Sequence, residues 1–169
     1  LVPPIAGQER RPWPRPLREH LVGLLQEFTG RRVVALASGD PFVSGIGTTL
    51  VELLGTERVR VHPAVSSVSL ARGVLGWPAE TSSVVSLVGR DVSLLARELA
   101  PGHRVLVLSS DEHTPAAVAA LLCSHGYGAS ALHVLGDLGA ATESHRTTTA
   151  SAWSGEAPRL HVLGLDLVG

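Results

Sequence analysis

Apolar side chains recur along this chain in two rhythms. Leu17, Leu21, Leu24, Leu25 and Phe28 fall at the spacing of one helical face, and Gly30 is placed to end that helix. Beyond it, short continuous apolar runs alternate with helix-spaced stretches. Val33 to Ala37 reads as a strand closed by Ser38, Gly39 and Asp40, then a Gly-rich turn and a helix from Gly47 to Leu54. Val59 to His62 reads as the next strand, and Ser66 is a suitable cap for a helix through Leu75. A strand from Val84 to Val88, a helix from Val92 to Leu99 and a strand from Arg104 to Leu108 follow. Thr114 and Pro115 suit the N-cap and first position of a further helix. Ala131 to Leu135 and Leu160 to Val168 are again strand-like, whereas residues 136–155 mix Gly, Ser and Thr without a period and read as loop, short strand or both.

Alternation of this kind implies an α/β protein with largely parallel sheets buried by helices. In such sheets ligands sit at the carboxyl ends of strands, where helix N-termini converge, so those ends are the places to search for chemistry.

Composition narrows the function classes. The chain has 169 residues, 44% of them hydrophobic and 17% charged, enough to build a core. A formal charge of -1 gives no reason to expect nucleic acid as a partner. No apolar run approaches the roughly 20 residues of a membrane span and no signal segment opens the chain, so no membrane is expected and the cytoplasm is the expected location. The single cysteine, Cys123, forbids an internal disulfide and reads as a buried structural thiol. All 14 basic residues are arginine; without lysine there is no Schiff base and no P-loop lysine, while the guanidinium fork suits a substrate rich in carboxylates. The chain begins at Leu1 and holds no methionine, so it is expected to be a processed product or a part of something longer rather than a complete translated chain. Five prolines within residues 2–16 favour an irregular connection around Trp13.

Three strand ends carry candidate residues. Ser38-Gly39-Asp40-Pro41 opens a turn containing Gly45 and Gly47; its glycines permit close backbone approach to a ligand, and Asp40 can accept hydrogen bonds. The spacing does not fit a dinucleotide fingerprint, because position 50 is Leu50. Ser66 and Ser67 stand at the second end, where helix capping, taken alone, is the better explanation. Ser109, Ser110 and Asp111 stand at the third. The eight histidines are scattered and form no zinc signature, so no metal is expected. Ser110, Asp111 and His113 are too close in sequence to act as a nucleophile, orienter and base.

Together with Gly7-Gln8-Glu9-Arg10, Pro12-Trp13-Pro14, Gly45-Ile46-Gly47, Pro63-Ala64-Val65-Ser66-Ser67, Leu75-Gly76-Trp77-Pro78 and Gly89-Arg90, these segments resemble the tetrapyrrole methylases, and within them the group that methylates carbon 5 of cobalamin precursors. The resemblance implies two small α/β domains, residues 1–90 and 91–169, with S-adenosylmethionine in the cleft between them. It implies that the family's first strand and Gly-rich loop precede the point at which this chain begins. By similarity Ser38, Gly39 and Asp40, with Val43, correspond to a cofactor-contacting loop; Ser66 and Ser67 to a second contacting pair; and Val88 to a position lining the pocket. The implied activity is S-adenosylmethionine-dependent methylation of a precorrin, precorrin-6Y at ring carbon 5, with no catalytic residue assigned. A homodimer and a carbon-15 methylating, decarboxylating domain or subunit are the implied partners. The alternatives are a methylase of the same family with another substrate or ring position, and a non-catalytic tetrapyrrole-binding module.

Overall fold

A computed structural model describes residues 3 and 5–169. Of the proline-rich segment 2–16, Val2 and Pro4 lie outside the described residues. Four α-helices and five strands follow: α1 (Leu17–Gln26), α2 (Ile46–Leu54), α3 (Ser67–Leu75), β1 (Ser83–Ser86), β2 (Arg104–Leu108), α4 (Thr114–Ser124), β3 (Ala131–Gly136), β4 (Ser144–Thr149) and β5 (His161–Asp166). The strands form one sheet in the order β1-β2-β5-β3-β4. β1 therefore pairs with β2 across the turn at Gly89 to Asp91.

The α/β class holds, but the sheet is mixed where a largely parallel one was expected. Only β1 and β2 run parallel; β5 is antiparallel to both β2 and β3, and β4 is antiparallel to β3. A continuous apolar run shows that both faces of a strand are covered and is silent about direction. β2 and β5 are such runs, buried along almost their whole length, and they occupy the middle of the sheet. The polar β4 closes one edge, its residues almost all exposed.

Each face of the sheet has its own core. On one, Leu132, Val134, Leu163 and Leu165 pack with Val118 and Leu122 of α4 and with Leu95 of a 3-10 helix, Val92–Glu98, which stands where an α-helix was expected. On the other, Leu106, Leu108, Leu135 and Val162 pack with Val68 and Ala71 of α3 and with Trp77. Gly164 makes that contact possible: a Cβ there would meet Leu75 Cδ1 at 2.6 Å and the Trp77 ring at 3.3 Å. Ser66 caps α3 as expected, its hydroxyl accepting from the Ser69 amide at 3.1 Å, and Gly76 ends it in the left-handed conformation.

Three local expectations change. Cys123 is exposed, because the buried face of α4 is set by Val118, Ala119 and Leu122. Thr114 is the first residue of α4 and His113 its N-cap; the capping oxygen comes from Asp111, whose carboxylate accepts from the His113 and Thr114 amides at 3.0 and 3.1 Å. Residues 33–37 and 59–62 form no strand ladder, because among the described residues no neighbouring strand receives their hydrogen bonds. Val33, Val34 and Leu36 are consequently exposed.

Candidate active site

A cleft of about 700 Å³ opens where the loop after Ala37, the start of α3, and the ends of β1, β2, β3 and β5 meet. Ser38, Gly39, Val43, Ser67 and Val88 line it. The residue that brings the first two segments together is Gly39. Its φ of +65° is left-handed, and a Cβ there would lie 3.4 Å from the Val65 carbonyl oxygen and 3.7 Å from the Ser67 nitrogen. The loop thus presses directly on the N-terminal end of α3.

Asp40 and Ser66 stand beside this cleft but are not among the residues lining it. The Asp40 carboxylate accepts from the Phe42 amide at 2.8 Å and its carbonyl from the Val43 amide at 3.1 Å, so both shape the turn. Pro41 then accepts from the Gly47 amide at 2.9 Å, folding the loop onto the start of α2. Ser66 Oγ is engaged with Ser69.

The far wall is built by the sheet. Ser110 Oγ accepts from the Gly89 amide and donates to the Leu87 carbonyl, both at 2.9 Å, tying the ends of β1 and β2 together. Asp111 caps α4, and the amides it receives hold its carboxyl below the usual aspartate range, that of His113 most of all. Sequence reasoning placed Ser110 and Asp111 among the functional candidates; the structure gives them scaffolding work. Ser109 differs, because its hydroxyl is buried without a hydrogen-bond partner.

The structure adds wall residues that no motif marked. Leu135, Leu138, Leu160 and Val162 line the cleft with Asp137 and His161. Asp137 has a φ of +47°, and its carboxylate accepts from Thr142 Oγ1 at 3.2 Å. The His161 Nδ1–H donates to the Pro158 carbonyl at 2.6 Å, which leaves Nε2 as the unprotonated nitrogen of the neutral ring. That Nε2 is buried and unpartnered, and burial holds the His161 pKa below its ordinary value. These residues come from the second half of the chain, where regular apolar runs hid which positions face a cavity.

Comparison with known proteins gives this geometry a family. The model of the Tetrapyrrole (Corrin/Porphyrin) Methylases matches residues 17–153. The chain belongs to the tetrapyrrole methylase family. It is 42% identical over 150 residues to the precorrin-6Y C(5,15)-methyltransferase [decarboxylating] of Mycobacterium tuberculosis, a match that takes in 89% of this chain and 37% of that protein. It is 35% identical over 108 residues to the cobalt-precorrin-7 C(5)-methyltransferase of Salmonella typhimurium, covering 62% of this chain and 53% of the relative. The chain therefore spans little more than a third of the mycobacterial protein and about half of the other.

Solved methylases share its fold. The precorrin-6Y methylase of Archaeoglobus fulgidus superposes with a TM-score of 0.63 at 24% identity, covering 88% of this chain and 70% of that one. The uroporphyrin-III C-methyltransferase of Thermus thermophilus, in complex with S-adenosylhomocysteine, gives 0.64 at 22% identity, covering 89% and 71%. The mixed sheet is thus the tetrapyrrole methylase architecture.

Proposed function

We propose that this chain is an S-adenosylmethionine-dependent methyltransferase module that methylates ring carbon 5 of a precorrin, precorrin-6Y, in cobalamin biosynthesis. One observation carries the proposal: Ser38, Gly39, Val43, Ser67 and Val88, distant in sequence, line a single cleft in a chain 42% identical to an enzyme named for that substrate. Asp40 and Ser66 belong to the same proposal as residues that set the backbone of the contacting loop and of the start of α3.

The cleft fits S-adenosylmethionine. Its volume lies within the range of small-molecule sites. Gly39 packs the loop of one side against the start of α3, the leucines of the sheet offer an apolar wall on the other, and Ser109 leaves unmatched polarity in that wall. The cofactor supplies a methyl group already activated on a sulfonium centre, so no protein nucleophile is required. What remains for the chain is alignment, which can be worth about 7 to 11 kcal/mol of a barrier. Gly39 and the start of α3 fix one side of the site, the Ser110 bridge fixes the other, and the buried Leu108, Leu135 and Val162 keep water from the wall between them.

The division into residues 1–90 and 91–169, the carbon-15 methylating partner, a homodimer and the cytoplasm as the working compartment are parts of the same proposal. The names and lengths of the relatives support the partner: the mycobacterial relative acts at carbons 5 and 15 and is far longer than this chain.

The test is methyl transfer from isotopically labelled S-adenosylmethionine to precorrin-6Y, with calorimetric titration of S-adenosylhomocysteine alongside. Saturable cofactor binding and label at carbon 5 are expected. Label at another ring carbon would move the chain to a different methylase activity, and absence of cofactor binding would sink the methyltransferase assignment.

A further inference from the structure

A second cavity, of about 660 Å³, adjoins the cofactor cleft, and Trp13 and Leu36 belong to the walls of both. Its lining carries four arginines, Arg10, Arg11, Arg31 and Arg32, against one acid, Glu9. Glu9 is shared between Arg11 and Arg31, at 2.9 and 2.8 Å, so the set keeps a positive balance after internal pairing. Trp13 itself is 37% exposed. Its indole N–H donates to the Leu36 carbonyl at 3.4 Å, and Pro12 and Pro14 restrict the backbone on either side, so the ring is held in place rather than left to swing.

We infer that Trp13 is the platform on which the tetrapyrrole substrate lies, with the macrocycle against the indole and its acidic side chains turned toward the arginine side. The inference rests on the methyltransferase reading and deepens it. Methyl transfer requires the acceptor carbon to come within about 3 to 3.5 Å of the donor, so the substrate must reach the line where the two cavities meet. Trp13 is the aromatic residue on that line. An extended conjugated ring gains stacking and apolar contact there, while guanidinium groups match carboxylates in plane and charge. The donor side of Trp13 is already satisfied by Leu36, so its contribution is its face.

The test measures two affinities on the full chain: S-adenosylhomocysteine by calorimetry, and precorrin-6Y by anaerobic absorbance titration in the presence of S-adenosylhomocysteine. Trp13→Ala is expected to weaken precorrin-6Y binding about tenfold or more, and Trp13→Phe, which keeps an aromatic face, by only about threefold. S-adenosylhomocysteine binding, whose cleft Trp13 also borders, is expected to weaken less than precorrin-6Y binding in both variants, and salt weakens precorrin-6Y binding more than cofactor binding. Unchanged precorrin-6Y binding in Trp13→Ala overturns the inference and leaves the methyltransferase reading standing. So does equal weakening of both ligands, which would make Trp13 a structural support, and so does wild-type binding of the cofactor without precorrin-6Y. A wild-type chain that binds neither ligand overturns the methyltransferase reading itself.

Discussion

A methyl group added at Gly45 would lie 2.6 Å from the Pro41 carbonyl oxygen, and one at Gly47 would lie 2.7 Å from the same atom. Backbone at that distance cannot yield cheaply, so Gly47→Ala is expected to destabilise the chain by about 1 to 3 kcal/mol and to weaken S-adenosylhomocysteine binding through the displaced loop. Gly73 is the contrast. It sits inside α3 with nothing within 4 Å of its added Cβ, and Gly73→Ala is expected to raise stability by about 0.4 to 1 kcal/mol. Denaturant unfolding of both variants checks the pair; an unchanged or more stable Gly47→Ala would contradict the packing around Pro41, and a destabilised Gly73→Ala the open space at Gly73.

Two histidines carry a pH dependence. His161 and His133 are held below the ordinary histidine value chiefly by burial, His133 also by the nearby His145. The folded chain therefore favours the neutral rings, and the unfolded chain binds more protons once pH falls below about 6.5. Their contribution to stability is full above that value and declines as pH falls through it toward the depressed folded values. The carboxylates of Asp111 and Asp91, lowered by hydrogen bonds, act in the opposite range: their contribution is lost only as pH falls further, through the acidic values. Unfolding midpoints at pH 7.5 and 5.5 are expected to fall for the wild type, and to fall less for His161→Gln.

At the scale of elements, helix starts are where the chain spends its polar side chains. Ser66→Ala removes the side-chain cap of α3 and is expected to cost about 1 kcal/mol. Asp111→Ala strips the acceptor shared by the first amides of α4 and should cost about as much or more. A Ser110→Ala change breaks the bridge between the β1 and β2 ends, leaving the Gly89 amide without its acceptor while the Leu87 carbonyl keeps the Arg90 amide, and the affinity for S-adenosylhomocysteine should drop with stability. Stability and calorimetry on this variant measure how far the far wall of the cleft depends on one hydroxyl.

The same elements show what periodicity can reach. The spacing of Leu17 to Phe28 found α1, Ser66 and Leu75 bounded α3, and the continuous runs of β2 and β5 marked the middle of the sheet. β4 stayed undecided between loop and short strand because an edge strand needs no apolar alternation: its pairing is backbone to backbone, and Ser144–Thr149 is polar throughout. Residues 33–37 carry a strand pattern without a ladder, because a strand exists only where a neighbour accepts its hydrogen bonds.

Across the whole molecule, a single sheet joins β1, from one side of the turn at Gly89 to Asp91, to four strands from the other. Packing of α3 and Trp77 on that sheet carries the Ser66 to Ser67 segment to the cleft, and Gly39 docks the earlier loop upon it. Among the described residues no helix is long and apolar enough to cross a membrane. The sequence by itself determined the α/β class, the places of the four α-helices with the Ser66 cap, and the loop and serine segments that mark a tetrapyrrole methylase, because these depend on spacing and on local backbone chemistry. Strand direction, the adjoining cavities that share Trp13, and the division of labour among Ser109, Ser110, Asp111 and His161 were decided only by the tertiary structure. Each depends on which distant backbone or side chain fills the remaining hydrogen bond or stands across a void, and no local pattern records that.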